Sequence, residues 1–425
     1  MSMKDFLKKP APAPAPDDIT TEFVFDKYAV SKEIMKAAKG KKLLAPEEVT
    51  MRNVETLNHW LEVWGLNMML NAPMIMKDYG VTEHVRRPTK AAGVESANLL
   101  QDVARPDLCI LAGSGPSLDD YLPLMKSWPG IIICAATNVL SFLAHGITPH
   151  YVLAVDANPE LRVYLENAAA APGAENISLI LPITADPETA SCWPHRRYWY
   201  LDFIQGGNDL NNPWNSFQCM IYPFVGGYLV QAGSVVNCAF MLPILWGRAG
   251  LFDVKKVFLF GVECGFPREY THGRVRRWKW DTIHREWDCY DPRPVDSVRS
   301  SPLAESASGI PTEAAQLGYK RSLATIWYTM HYRGEDQGPD EKVFTREFSE
   351  EDRKPGMFHL YSCSHGILED TIPHLDGKRV LSGYADDVTP YTRADVDRLY
   401  TNYIKHIAPR EGQGEDLASE EETVK

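Results

Sequence analysis

The pattern of hydrophobic and polar positions changes character twice along this chain. Between about residues 20 and 103, Leu57, Leu61, Trp64 and Met68 fall at i, i+4, i+7 and i+11, which predicts one apolar helix face. From about Asp107 to Pro267, short β-branched runs take over: LCILA (108–112), IIICAA (131–136), YVLAVD (151–156), SLILP (178–182), YWYLD (198–202) and KVFLFG (256–261). Helical stretches follow several of them, including Leu118–Lys126, Val139–His145 and Val235–Trp246. Such alternation predicts an α/β protein, a Rossmann-like open, mostly parallel sheet with helices on both faces, flanked by helical N- and C-terminal regions. Past Glu269 a polar, aromatic loop region leads back to helices. Thr312, after Pro311, is placed to cap a helix running to Tyr332. Thr392 with Asp395 reads as a capping box ahead of Val396, Leu399, Tyr400, Tyr403, Ile404 and Ile407. The expected organisation is an Ala/Pro tether over 1–19, a helical region over 20–103 and the Rossmann-like domain over 104–280. A mixed, mainly helical region over 281–408 and an acidic, disordered tail over 409–425 complete it.

Composition narrows the class. With 425 residues, 44% hydrophobic and 24% charged, the chain has ample material for two or three domains. A formal charge of −12 argues against a general nucleic-acid coat, which would need clustered Lys and Arg. None of the eight cysteines forms a CxxC pair or a zinc-like spacing, and Cys109, Cys134 and Cys238 lie in apolar runs, where buried free thiols are expected. The opening MSMKDFLKKPAPAPAPDD has no apolar core of a signal peptide, and Val235–Trp246 is too short to span a bilayer. A cytoplasmic protein with no membrane span is expected.

Candidate chemistry clusters at strand ends. In Leu108-Cys-Ile-Leu-Ala-Gly113-Ser114-Gly115-Pro116-Ser117 a strand passes through a two-glycine turn into a helix, whose free N–H groups and dipole suit phosphate. Pro116 suits a first helical position. The third glycine of the dinucleotide fingerprint is missing, so no NAD site is assigned; a plain βα turn is the alternative. The next strands end in Asn138 and in Asp156-Ala-Asn158-Pro159-Glu160, where ligands of open α/β sheets bind. Asn138 could read a base or ribose. Asp156 could hold a ribose or Mg²⁺, or form an Asx-turn. Gly233-Ser234 begins another helix, as a phosphate contact or an ordinary N-cap. Glu263 again places a carboxylate at a strand end, and His272, in a glycine-flanked loop, is a candidate general base. The run Arg274, Arg276, Arg277, Trp278, Lys279, Trp280 could grip a phosphate or a sugar, or be a solvated loop. His359-Leu-Tyr361-Ser-Cys-Ser364-His365-Gly366 could return residues to the site or form a hairpin.

In combination, GSGPSLDD after a strand, GITPHYVLAVD, AGSVVNCAF and VFLFGVECGF followed by THG resemble the MptE-like domain. That family includes archaeal 6-hydroxymethylpterin diphosphokinases and bacterial motility accessory factors (Maf), which are similar to sialyltransferases and linked to flagellin glycosylation with nonulosonic acids. The resemblance covers roughly residues 90–280, and LYSCSHGILEDTIPHLDG extends it loosely to about 380. Accessory factors usually carry an Asp-Leu pair where this chain has Glu263-Cys264. The resemblance implies a nucleotide-binding domain with Gly113, Gly115, Pro116 and Ser117 facing the phosphates and Ser114 in the same turn. Asn138 and Asp156 would lie nearby, Gly233 and Ser234 would supply a second phosphate contact, and His272 would act as base. The leading expectation is a glycosyltransferase moving a sugar, a nonulosonic acid for instance, from a CMP-linked or similar donor to a small-molecule or protein hydroxyl. The rivals are an ATP- and Mg²⁺-dependent diphosphokinase with Asp156 and Glu263 on the metal side, and a non-catalytic nucleotide-binding assembly factor.

Overall fold

The computed structural model describes residues 46–80 and 103–204 (Pro116 and Asn158 excepted), most of 225–264 and 277–290, and parts of 303–399. A long helix α1, Pro46–Lys77, precedes the sheet. The strands are β1 Arg105–Ala112, β2 Gly130–Ala135, β3 Tyr151–Leu153, β4 Ser178–Pro182, β5 Arg197–Ile204, β6 Tyr228–Gln231 and β7 Lys256–Phe260. A separate hairpin follows, β8 Arg277–Asp281 and β9 Glu286–Tyr290, and then β10 His359–Ser362 returns to the main sheet. Their order is β5-β4-β3-β2-β1-β7-β10, with β6 and the two-residue strand Tyr79–Gly80 also pairing with β5. Every pairing in this sheet is parallel. The chain steps from β1 to β5 in one direction and resumes with β7 on the opposite side of β1. The crevice of such a sheet opens at that reversal, beyond the carboxyl ends of β1 and β7.

Residue alternation explains why the sheet has two covered faces. Ile110, Cys134, Leu179 and Phe258 join a core with α2 Leu118–Met125, α3 Val139–Ala144, α4 Leu161–Ala169 and α5 Pro187–Ser191. Their strand neighbours Cys109, Ile133, Ile180 and Val257 join a second core with α6 Val235–Ala239 and α7 Met241–Arg248. Strands covered on both faces have no polar side to show, hence the unbroken apolar runs. Cys109, Cys134 and Cys238 are buried free thiols, as expected.

Several elements differ from the sequence reading. The β-like His359–Ser362 run is a strand but forms no hairpin: Leu360 pairs with Val257 and Tyr361 stacks on Phe258 at 5.6 Å, so the sheet extends beyond residue 280. Arg105 clamps this late segment at the amino end of the sheet, bonding Asp107 (2.8 Å) and Asp386 (2.6 Å) together, while the Lys256 ammonium donates to the Ala385 carbonyl at 2.9 Å. The single helix expected over 235–246 is broken at Phe240, because Pro243 has no N–H to offer the Ala239 carbonyl. Thr312 lies in a short strand, Pro311–Glu313, paired antiparallel with Leu303–Glu305, and the helical residues expected after it include Gln316, Tyr319, Lys320 and Leu323. Leu399 is buried as expected, whereas Thr392 and Asp395 lie outside the described residues.

The inward face of α1 is also different. Leu61 is 42% exposed, while Asn67, Met68, Asn71 and Ile75 face inward. The two asparagines dock the helix: Asn67 Nδ2 donates to the Thr184 carbonyl (3.0 Å), and Asn71 Nδ2 to the carbonyls of Ile183 (3.0 Å) and Ala185 (2.8 Å). A count of apolar positions cannot find a face held by amides. Just after α1, Asp78 accepts from Arg197 Nε and Trp199 Nε1, both at 2.9 Å. Among the described residues no helix is long and apolar enough to cross a membrane.

Two outcomes follow from these contacts. Asn71→Ala leaves the buried carbonyls of Ile183 and Ala185 unsatisfied, so it should lower stability by about 1–3 kcal/mol in urea titrations. His150 accepts the Ile132 N–H on Nδ1 at 3.1 Å, and burial pulls its pKa from 6.5 down to about 4. The folded state therefore binds fewer protons here than the unfolded chain. Stability present above pH 6.5 should fall as pH drops toward about 4. His150→Asn keeps an acceptor without titrating, and its urea midpoint should move less than that of the wild type between pH 7 and pH 5.

Candidate functional site

The carboxyl ends of β1, β7 and β10 meet at one point. Past Ala112 the ladder between β1 and β7 continues, Gly113 N–H donating to the Phe260 carbonyl at 2.8 Å. Gly115 N–H then donates to the Gly261 carbonyl at 2.6 Å. The loops come this close because neither carries a side chain at the crossing. A Cβ on Gly113 would lie 2.5 Å from the Gly261 oxygen, and one on Gly261 would lie 2.8 Å from the Gly113 oxygen. Gly261 is moreover left-handed, at φ +64°, where glycine avoids the Cβ penalty.

That turn swings Glu263 under the GSGPS segment. Glu263 is 1% exposed, and its Oε1 accepts the Ser117 N–H at 2.8 Å, at the N-terminus of α2. A Cβ on Gly115 would lie 1.3 Å from the other carboxylate oxygen. Gly115 is therefore glycine to admit a carboxylate of the protein's own. The positive end of the α2 dipole meets Glu263, with Asp119 and Asp120 in the first turn beside it. The β10 turn holds the backbone of this loop from behind: Val262 N–H donates to Ser364 Oγ at 3.2 Å, and a Cβ on Gly366 would press within 2.4 Å of the Glu263 carbonyl. The Ser364–Gly366 turn thus does return to the site, as support. Cys264, left-handed at φ +49°, has its thiol pushed up to about 12 by burial and then by the Glu263 charge. Lys320, itself buried, opposes that rise, and no sequence motif marked it.

On the other side, the end of β2 braces the same turn. Ser114 Oγ lies 2.8 Å from Thr137 Oγ1, and Asn138 Nδ2 donates to the Gly113 carbonyl. Asn138 Oδ1 and Ser117 Oγ are buried and have no hydrogen-bond partner among the described residues. Asp156, three residues past the end of β3, is exposed and makes no side-chain hydrogen bond among the described residues, and Asn158, whose N–H an Asx-turn would engage, lies outside them. Its pKa is nevertheless raised by desolvation, the signature of a carboxylate that reaches solvent between close protein walls.

The structure thus brings Gly113, Ser114, Gly115, Ser117, Asn138 and Glu263 into one cluster. Ser234 is an N-cap, its Oγ accepting the Asn237 N–H at 3.2 Å at the start of a five-residue helix, and Val236 of that helix packs beside Gly113. Pro116, Gly233 and His272 lie outside the described residues. Of the basic and aromatic run, Trp280 is buried against Trp287, with ring centroids 5.2 Å apart, and Trp278 meets His145 edge-on. These tryptophans seat the β8–β9 hairpin on the core.

A glycine turn, an amide and a carboxylate at the switch point of a parallel sheet define a Rossmann-like α/β domain with its crevice between β1 and β7. Residues 88–269, which span β1 to β7, match the family described as 6-hydroxymethylpterin diphosphokinase MptE-like. No curated protein matches the chain. A solved structure described as the MAf glycosyltransferase from Magnetospirillum magneticum AMB-1 is similar at a TM-score of 0.40 and 16% identity. The similarity covers 71% of this chain and 37% of that one, so the chain corresponds to little more than a third of its length.

The contact between Gly115 and Glu263 is testable by a mutant cycle. Gly115→Ala must expel the carboxylate from the Ser117 N–H, which should cost about 1–3 kcal/mol in denaturant titrations. Glu263→Ala removes the nearest obstacle and leaves the Gly261 oxygen, 2.7 Å from such a Cβ, so the double variant should lose less than the sum of the two single losses. Strict additivity would mean the two residues do not meet.

Proposed function

We propose that the chain is a transferase that moves a sugar from a nucleotide-activated donor to a hydroxyl acceptor. A nonulosonic acid carried on CMP is the donor class in view, and the cytoplasm is the setting. The observation that supports this is the convergence of the GSGPS turn, Asn138 and Glu263 at the switch point of a region that matches the MptE-like family, with Asp156 past the end of β3 on the same carboxyl edge of the sheet. The segment resembling accessory factors, LYSCSHGILEDTIPHLDG, favours the glycosyl version, because it supplies β10 and the turn behind Glu263. In this reading the donor phosphate lies at the mouth of α2, Asp156 takes ribose hydroxyls, and Ser234 offers a second contact. His272 removes the acceptor proton. Fixed N–H donors aimed at the leaving phosphate stabilise its growing charge without reorganising, usually a large share of the catalytic effect.

The family's own description favours a second reading, diphosphoryl transfer from ATP with Mg²⁺. Asp156 fits a hard cation: it is an accessible oxygen donor whose desolvated charge a divalent ion would relieve. Mg²⁺ would neutralise polyphosphate charge, and Asp156 would hold it.

Thermal-shift titration separates the readings. A ligand at a hundred times its Kd stabilises by about 2.7 kcal/mol, so CMP should raise the melting temperature clearly, without Mg²⁺. Sugar transfer from a CMP-linked donor should survive EDTA and persist in Asp156→Asn with a raised KM. Stabilisation by ATP only with Mg²⁺, with turnover abolished in Asp156→Asn, would establish the diphosphokinase. Binding without turnover of either donor would leave an assembly factor.

A further inference from the structure

The mouth of α2 is built for an anion, and Glu263 already fills it. Resting on the nucleotide-binding reading above, we infer that Glu263 is a built-in plug: its carboxylate occupies the seat of a substrate phosphate and must leave before that phosphate can bind. Four observations carry the inference. The Ser117 N–H, the donor at the start of the eight-residue helix α2, is held by Glu263 Oε1 at 2.8 Å. Gly115 leaves room for the carboxylate where any side chain would strike it. Ser117 Oγ and Asn138 Oδ1, both more than nine-tenths buried, lack partners among the described residues although they border the same turn. Buried polar atoms normally find partners, so a pocket that leaves two unused beside a helix N-terminus is incompletely filled by its present occupant. A phosphate oxygen with bridging protons or water could use both groups; a single carboxylate bonded to the backbone reaches neither.

The competition is electrostatic as well as steric. A phosphate approaching Ser117 meets the field of Glu263, with Asp119 and Asp120 alongside, before it meets the helix dipole. The residue immediately after the plug is Cys264, held left-handed, and the preceding turn pivots on Gly261. The loop is tied at Val262 by Ser364, so the inferred release involves the side chain of Glu263 and not its main chain. The plug also gives the domain a means of choice. Free phosphate is too weakly held elsewhere to displace a bonded carboxylate. A nucleotide anchored through its ribose, at Asp156, brings its phosphate to the seat at high effective concentration.

Calorimetric titration of wild type and Glu263→Gln with CMP and with inorganic pyrophosphate tests this. The glutamine keeps the shape but loses the charge, so affinity for both probes should rise about tenfold, the effect of roughly 1.4 kcal/mol. The gain should be at least as large for pyrophosphate, which brings more negative charge to the seat. Unchanged or weaker binding by a folded Glu263→Gln variant overturns the plug, and loss of binding makes Glu263 a ligand contact instead. If CMP binds neither protein, the nucleotide-binding reading itself fails along with the plug; if CMP binds both equally, only the plug fails. Should the variant not fold, the crystal structure of the wild type with bound CMP decides. Glu263 turned away from the Ser117 N–H supports the inference, and Glu263 still bonded there refutes it.

Discussion

The architecture of this site depends on a close approach of two backbones. Gly113 and Gly261, at the ends of neighbouring parallel strands, cross with no side chain between them, and each would clash with the other's carbonyl if it carried a Cβ. That contact sets where everything beyond it falls. It lets the β1 ladder run on into the turn, it puts the start of α2 above the end of β7, and it aims residue 263 at the Ser117 amide. A wider separation of the two loops would leave α2 with unsatisfied donors and Glu263 with nowhere to be buried.

Burying a carboxylate is costly unless its charge is met, and removing one partner of such a pair leaves the other unsatisfied. Here the compensation is a charge-assisted bond from a backbone amide together with the positive end of a helix. The same two features would recognise a phosphate. A buried acid can therefore serve as a structural cap in the free protein and as a competitor of the ligand, with no change of backbone. The third loop makes this arrangement firm: Ser364 and Gly366 hold the main chain around residue 263 from the β10 side, which is why the late segment belongs to the site although it lies far away in sequence.

Much of this was legible in the residues. The six central strands were found within a few positions because a doubly covered parallel strand has a simple signature, an unbroken apolar run. The glycine turn and the polar strand ends were legible for a similar reason, since open α/β sheets put chemistry at their carboxyl edge. What was not legible depends on distant partners. The docking of α1 through Asn67 and Asn71 shows no apolar period, so a reading based on hydrophobic spacing chose Leu61 instead. The strand His359–Ser362 is only four residues long and joins a sheet whose other members lie a hundred residues earlier. The glycine at 115 was readable as making room, but whether for a ligand or for Glu263 is a tertiary fact.

The two carboxylates at this edge show how environment divides similar groups. Glu263 is buried, bonded to an amide and enclosed by three loops. Asp156 is exposed, bonded to no described neighbour, and desolvated enough for its acid form to be favoured above the usual range. Opposed environments of paired acids mark a division of labour in a site. The enclosed acid has its charge spent on holding the fold and guarding the helix mouth. The open one lies past the end of β3, where partial desolvation raises its pKa and would make a neighbouring cation or hydroxyl donor favourable.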